Sequence, residues 1–255
     1  MARVSIITVA KNNEAGLEAT YRSVLKQSFT DWQMVIVVAE SSDNTVAVAK
    51  KFESLDSRIT LINQTGFGIY GAMNEGLAVA SGEFTWFMNS GDIFASNLVL
   101  THAIERIAST GAVIVIGGYQ MKNRGKLRVF SFPPCDVKPL NFAFTRRGGC
   151  HQAMIFKTQS LLGVGGFDLR YSLASDFDLV IKVMKKANVV RVSEVFAEVE
   201  PGGSADLGIF LVHEEKHQIR NRLIGGPVIY ICSFIWKTLA KTKIALKVFL
   251  NRSAP

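Results

Sequence analysis

The sequence is poor in the features that mark secreted, membrane-spanning or disordered chains. It holds three cysteines in 255 residues, Cys135, Cys150 and Cys232, an odd number without C-x-x-C spacing. That excludes a disulfide framework and a cysteine zinc motif, and it favours a reducing compartment with buried thiols. An apolar run at 226–236, GPVIYICSFIW, stops at 11 residues, short of the ~20 needed to cross a bilayer. The opening VSIITVA is too short for a secretory core and has no cleavage region after it, so it predicts a first strand. Internal repeats, low-complexity tracts and long linkers are missing, and charged residues are only 20% against 48% hydrophobic. Disorder is excluded and a full core is expected.

Acidic residues are missing altogether after Glu215, while eight basic ones follow it, from Lys216 to Arg252. Residues 1–215 are then left with 21 basic against 21 acidic residues, so the net charge of +8 belongs to the end of the chain. A neutral body does not suit nucleic acid. In the tail, Lys237, Lys241, Lys243 and Lys247 interleave with Leu239, Ile244, Leu246 and Phe249. This partial amphipathicity predicts a membrane-surface helix drawn to anionic lipid. A terminal helix packed on the body or on another subunit is the competing expectation. The division expected is 1–215 for one folded domain and 216–255 for a basic amphipathic tail.

What the first half does contain is a regular alternation. Arg3–Val9, Met34–Val38, Arg58–Ile62, Glu83–Met88 and Ala112–Ile116 read as strands. Glu14–Gln27, Asp43–Phe52, Gly71–Ala80 and Ser96–Ser109, the last capped by Ser96 or a near neighbour, read as helices. Such β-α alternation implies an α/β fold, a mostly parallel sheet flanked by helices, with ligands beyond the carboxyl ends of the strands. The loops at 10–13, 39–44, 63–70 and 89–93 are therefore the ones to carry function. The second half is less regular, with strands expected at Lys126–Phe132 and Gln152–Phe156, a loop at Pro133–Pro139 and a helix at Ser175–Ala187.

Asn89-Ser90-Gly91-Asp92 leaves a buried strand in a turn that ends on a carboxylate. Carboxylate oxygens there suit Mg²⁺ or Mn²⁺ shared with substrate phosphates. Alone, the same letters also describe a plain turn closed by aspartate. Gly66-Phe-Gly68-Ile-Tyr-Gly71 spells the dinucleotide fingerprint between a strand and a helix, with Asp92 some way beyond, and so admits an NAD-dependent oxidoreductase. Against that, the fingerprint belongs after the first strand, where this chain has Lys11-Asn12-Asn13-Glu14.

Taken in order, VSIITVAKNNEAGL, VVAESSDNT, GIYGAMNEGLAVASGEFTWFMNSGD, CHQAMIFK, GGFDLRYSLASDFDLVIKVMKKA and the PGGS turn resemble the family 2 glycosyltransferases of the GT-A fold, a Rossmann-like architecture. The likeness is greatest to bacterial enzymes that build exopolysaccharide of the colanic-acid type or lipid-linked repeat units, and it covers about residues 3–215. The resemblance implies an inverting transferase that moves a sugar from a nucleotide-sugar donor to the hydroxyl of a lipid-linked or oligosaccharide acceptor. It would work in the cytoplasm, peripherally at the inner membrane, in surface polysaccharide biosynthesis.

The resemblance also implies roles. Thr8, Ala10 and Asn12 would hold the nucleoside. Asn74 would lie beneath the sugar-nucleotide. Asp92 would stand for the last carboxylate of the family's Asp-x-Asp motif and bind Mn²⁺ or Mg²⁺, with Asn89 and Ser90 before it. Asp176 would be the catalytic base, with Asp178 after it on the same helix start. His151 and Gln152 would stand at the diphosphate or acceptor rim, and Arg146 and Arg147 would face phosphates or solvent. The chain departs from the pattern at three places. The acid that relatives carry after the second strand is missing or moved to Glu40, and Gly66 and Gly71 replace two aspartates, with Phe67 for a lysine. Those losses motivate a third reading, a degenerate sugar-nucleotide-binding module without turnover.

Overall fold

The computed structural model describes residues 3–123, 126–131, 133–144, 150–201 and 208–252. The first half is built as its periodicity implies. Strands β1 (Val4–Ala10), β2 (Trp32–Val38), β3 (Ile59–Asn63) and β4 (Phe84–Phe87) alternate with helices α1 (Glu14–Leu25), α2 (Thr45–Leu55) and α3 (Gly68–Val79). They pair in parallel in the order β3-β2-β1-β4, with Ile6 opposite Met34 and Trp86. After the short strand β5 (Ile93–Phe94), helix α4 (Val99–Thr110) leads into β6 (Ile114–Asn123), β7 (Lys126–Phe130), β8 (Cys135–Asp136) and α5 (Pro139–Phe144). A single 3-10 turn, His151–Ala153, then opens β9 (Met154–Lys157), followed by α6 (Thr158–Leu162), α7 (Ser175–Met184), β10 (Val189–Val199), α8 (Ile209–Leu223) and α9 (Pro227–Arg252).

The sheet is parallel over its first four strands and mixed beyond them. β9 lies between β4 and β6 and runs antiparallel to both, while β10 returns parallel to β6. The direction of β9 has functional weight. A strand entered from the edge where β1, β2 and β4 end must run the other way, so its first turn, His151–Ala153, sits at that edge. Trp86 Nε1 donates to the Gln152 carbonyl at 2.8 Å and pins the turn there.

Alternation along the strands sends neighbours to opposite faces, and each face has its own core. Ile6, Met34 and Trp86 pack with Leu17, Phe52 and Leu100 from α1, α2 and α4. Ile7, Val37 and Phe87 pack with Met73, Phe177 and Ile219 from α3, α7 and α8. Helix α3 comes very close to the sheet. A Cβ at Gly76 would lie 2.5 Å from Ile7 Cγ2 and 3.2 Å from Val37 Cγ2, so glycine there is a packing requirement.

Several boundaries differ from the sequence reading. The fourth helix begins at Val99 because residues 96–98 turn, with the Ser96 hydroxyl accepting from the Leu98 N–H at 3.3 Å. The strand expected from Gln152 begins at Met154, its first residues being the 3-10 turn. The expected division at 215/216 falls inside α8, whose residues Ile219, Arg220 and Arg222 contact the body. No helix among the described residues is long and apolar enough to cross a membrane.

Candidate active site

The floor of the site is the junction of the loops after β1 and β2. Thr8 is buried in β1 with its hydroxyl oxygen unpartnered, and Ala10 ends the strand with its carbonyl accepting from Ala39 N–H at 3.0 Å. Asn12 holds a positive φ of 48°, a conformation asparagine tolerates better than most residues. From there its side-chain oxygen accepts from Ser42 N–H at 2.8 Å, and its own N–H donates to Ser41 Oγ at 3.1 Å. The two loops are thereby one piece. Glu40 is exposed beside them.

The turn after β4 forms the next wall. Asn13 Nδ2 donates to the Ser90 carbonyl at 3.0 Å, and Thr20 Oγ1 donates to the Asp92 carbonyl at 2.7 Å. Gly91 has φ +102°, and a Cβ there would run into the Glu200 carboxylate, so only glycine fits. Asp92 is 4% exposed. Its Oδ2 accepts from Gln152 Nε2 and its Oδ1 from Glu200 N–H, both at 2.9 Å. Burial pushes its carboxyl up to about 6, against the pull of those two hydrogen bonds and of nearby His151, with the Glu200 charge adding to the rise. Asn89 Oδ1 is buried with no hydrogen-bond partner.

Asp176 stands at the start of α7. Its Oδ1 accepts from Tyr70 OH at 3.2 Å and from Phe177 N–H at 2.8 Å, and its Oδ2 lies 3.2 Å from His151 Nδ1. His151 Nε2 lies 3.4 Å from Asn89 Nδ2. His151 thus bridges the turn that carries Asp92 and the helix start that carries Asp176. Burial opposes the charged form of Asp176, but the His151 hydrogen bond and charge, the Lys216 charge and the Phe177 N–H outweigh it and hold the carboxyl below its ordinary value.

The backbone before Asp176 is fixed from α8. Glu215, buried, accepts from the N–H groups of Ser172, Leu173 and Ala174 and from Ser172 Oγ, at 2.8–2.9 Å. Asp178, fully buried, is ion-paired with Lys182 at 2.7 Å and with Arg222, which fastens α7 to α8. Asn74 is occupied in both directions. Its Nδ2 donates to the Phe167 carbonyl and its Oδ1 accepts from Phe167 N–H, each at 2.9 Å, clasping the Gly-rich loop to α3.

Of the residues singled out in the sequence, Asn89, Asp92, His151, Gln152 and Asp176 are joined by direct contacts at one sheet edge, and Ser90 lies in the same turn. Thr8, Ala10, Asn12 and Glu40 form the adjoining floor. Tyr70, Glu200 and Glu215 escaped the sequence reading, since nothing in their spacing marks the partner each one meets. Arg146, Arg147 and the Gly202-Gly203-Ser204 part of the PGGS turn lie outside the described residues. The first amide of the glycine-rich 66–71 loop and the residue before it are already occupied. Glu75 accepts from Gly66 N–H at 2.6 Å, Thr65 N–H at 3.1 Å and Thr65 Oγ1 at 2.8 Å.

An α/β sheet with one carboxylate in a turn and another at a helix start by the carboxyl edge of its parallel strands, the turn and the helix bridged by a histidine, defines a GT-A-type sugar-transfer architecture. The chain belongs to glycosyl transferase family 2, whose family model matches residues 5–153, and it is a glycosyltransferase. An uncharacterized glycosyltransferase of Mycobacterium tuberculosis is 28% identical over 202 residues, 78% of this chain and 76% of that one. The UDP-Glc:alpha-D-GlcNAc-diphosphoundecaprenol beta-1,3-glucosyltransferase WfgD of Escherichia coli is 30% identical over 192 residues, 74% and 73% of the two chains. Among solved structures, mannosyltransferase PcManGT from Pyrobaculum calidifontis, in complex with GDP-Man and Mn²⁺, shares the fold. Its TM-score is 0.70 at 17% identity, covering 99% of this chain and 76% of that one. Family membership sets aside the oxidoreductase reading of the glycine-rich loop.

Proposed function

We propose that the enzyme is an inverting glycosyltransferase that moves a sugar from a nucleotide-sugar to a hydroxyl of a lipid-linked saccharide at the cytoplasmic membrane face. The observation that carries this reading is the contact chain Asn89–His151–Asp176 beside the Asp92 turn. One carboxylate lies at the donor loops and a second is positioned to meet the acceptor. Asp176 takes the acceptor's proton as the new bond forms. A single displacement at the anomeric carbon inverts its configuration, through a transition state of oxocarbenium character. His151 holds Asp176 in place and couples its charge to the Asn89 turn.

The turn fits a divalent cation. Asp92 supplies carboxylate oxygens with lone pairs left over, and Asn89 supplies an oxygen that nothing else uses. Among the described residues no three His, Cys, Asp or Glu side chains form a ready cage, so donor phosphates and water would complete the shell. Mn²⁺ or Mg²⁺ bound there supplies charge stabilisation for the departing nucleoside diphosphate.

The tail supports a membrane location. On α9, Val228, Ile231, Ile235 and Leu239 are exposed at helical spacing, with Tyr230 and Phe234 beside them. Lys237, Lys241, Lys243, Lys247 and Arg252 lie on the same segment, which has no acidic residue. WfgD, by its name, acts on a diphosphoundecaprenol-linked sugar, and an enzyme with such an acceptor gains from resting on the bilayer.

The test is transfer of labelled sugar from a panel of nucleotide-sugars into the lipid extract of inner-membrane vesicles. The expected product carries the anomeric configuration opposite to the donor's, and Asp176→Asn gives none. Retained configuration, or undiminished transfer by Asp176→Asn, would sink the proposal.

A further inference from the structure

Helix α8 turns three cationic side chains toward the body, and they are treated differently. Arg222 is paired with Asp178 and Asp168. Lys216 and Arg220, one helical turn apart, make no ion pair with a carboxylate among the described residues. Arg220 is 2% exposed. Its Nε donates to the Ala143 carbonyl at 2.7 Å, its guanidinium lies 5.3 Å from the Phe144 ring centroid, and its Nη1 is buried with no partner. Lys216 Nζ and the Arg220 guanidinium lie 5.1 and 5.4 Å from the centroid of one ring, Phe177, the residue after Asp176. The adjacent carboxylate, Glu215, is spent on the backbone of residues 172–174.

Burying a cation without a partner is costly, and two of them four residues apart on a helix repel each other. Burial accordingly lowers the pKa of both, that of Arg220 to about 10. Asp176 is the carboxylate whose charge reaches Lys216, and it loses that charge when it takes the acceptor's proton. Lys216 then loses that compensation at the moment of transfer. The pair also stands at the far end of the contacts from the donor turn, which run from Asp92 and Asn89 through Gln152, His151 and Asp176 to Phe177.

We infer that Lys216 and Arg220 form an anion site for a phosphate group carried by the acceptor, Lys216 meeting it as a point charge and Arg220 supporting it from the buried side. The inference rests on the transferase reading above and deepens it by naming the acceptor's phosphate as the group this pair grips. The phosphate would belong to a prenyl-linked saccharide or to a free phosphorylated sugar.

The test is calorimetric titration of the full-length protein in EDTA with geranyl diphosphate and with inorganic pyrophosphate, for wild type, Lys216→Met, Lys216→Arg and Asp92→Asn. Binding is expected in wild type, within about twofold in Asp92→Asn and Lys216→Arg, and at least about tenfold weaker in Lys216→Met. Tighter binding of the geranyl ligand assigns the phosphate to a lipid, and equal binding to phosphate alone; either supports the site. No binding by wild type, equal binding by a folded Lys216→Met, or loss in Asp92→Asn would overturn it. A wild type that binds a nucleoside diphosphate with Mn²⁺ but neither probe in EDTA would refute the anion site and leave the transferase reading standing.

Discussion

At the scale of single residues, the site separates two carboxylates by environment. Asp92 is buried beside Glu200 and is driven toward its neutral form, whereas Asp176 is kept charged by His151, Lys216 and a backbone N–H. The folded value of Asp92, about 6, lies above that of an unfolded carboxylate. The folded protein therefore holds this proton more tightly than the unfolded chain. The stabilisation is full below the unfolded value and is lost as pH rises through about 6. The ionised form costs on the order of 3 kcal/mol. A cation at Asp92 would relieve that cost and compete with the proton. Mn²⁺ is expected to raise the thermal midpoint by several degrees at pH 7.5 and by much less at pH 5. An equal shift at both pH values would remove Asp92 from the cation site. The two carboxylates were legible in the sequence because each sits in a motif of fixed order. Tyr70 and Glu200 were not, because their roles depend on which loop folds against them.

At the scale of elements, α8 positions helix α7, which carries Asp176. Its Glu215 carboxylate satisfies three N–H groups just before α7, an arrangement a neutral amide cannot match because half of it is a donor. Glu215→Gln is expected to lower kcat by about tenfold with the donor KM nearly unchanged, since the loops after β1 and β4 do not touch it. A rise in KM with kcat intact would place Glu215 in substrate binding instead. Gly76→Ala tests the close packing of α3 on β1. The added methyl must displace Ile7, for an expected loss of about 1–3 kcal/mol in denaturant unfolding, and no loss would show that α3 can shift freely. Helix α8 was not read from the sequence because its inward face carries Glu215, Arg220 and Arg222 in place of an apolar stripe. Strand β10 was missed for a related reason. Arg191, Glu194 and Glu198 interrupt its apolar alternation, and its pairing with β6 shifts register between Arg191 and Ala197. The direction of β9 has no local signal at all, because it follows from where the chain re-enters the sheet.

At the scale of the whole molecule, charge and exposed apolar surface gather at the end of the chain, while the body is neutral. Helix α9 is held to α8 by Lys237 on Glu214 at 3.2 Å and by Ser233 on His217 at 2.8 Å, and its Val228, Ile231, Ile235 and Leu239 are exposed. Full-length protein is expected to sediment with anionic liposomes and to release in high salt, while a chain ending at Leu223 stays in solution. Equal sedimentation of the two would leave α9 as a packing element only. Beneath these features lies the central claim that Asp92 serves the donor and Asp176 the acceptor. It is tested most directly by titrating wild type, Asp92→Asn and Asp176→Asn with UDP, GDP and TDP, with and without Mn²⁺. The account predicts that one diphosphate binds wild type and Asp176→Asn alike, requires Mn²⁺, and fails to bind Asp92→Asn. Mn²⁺-dependent binding that persists undiminished in Asp92→Asn, or no Mn²⁺-dependent binding of any of the three, would contradict it.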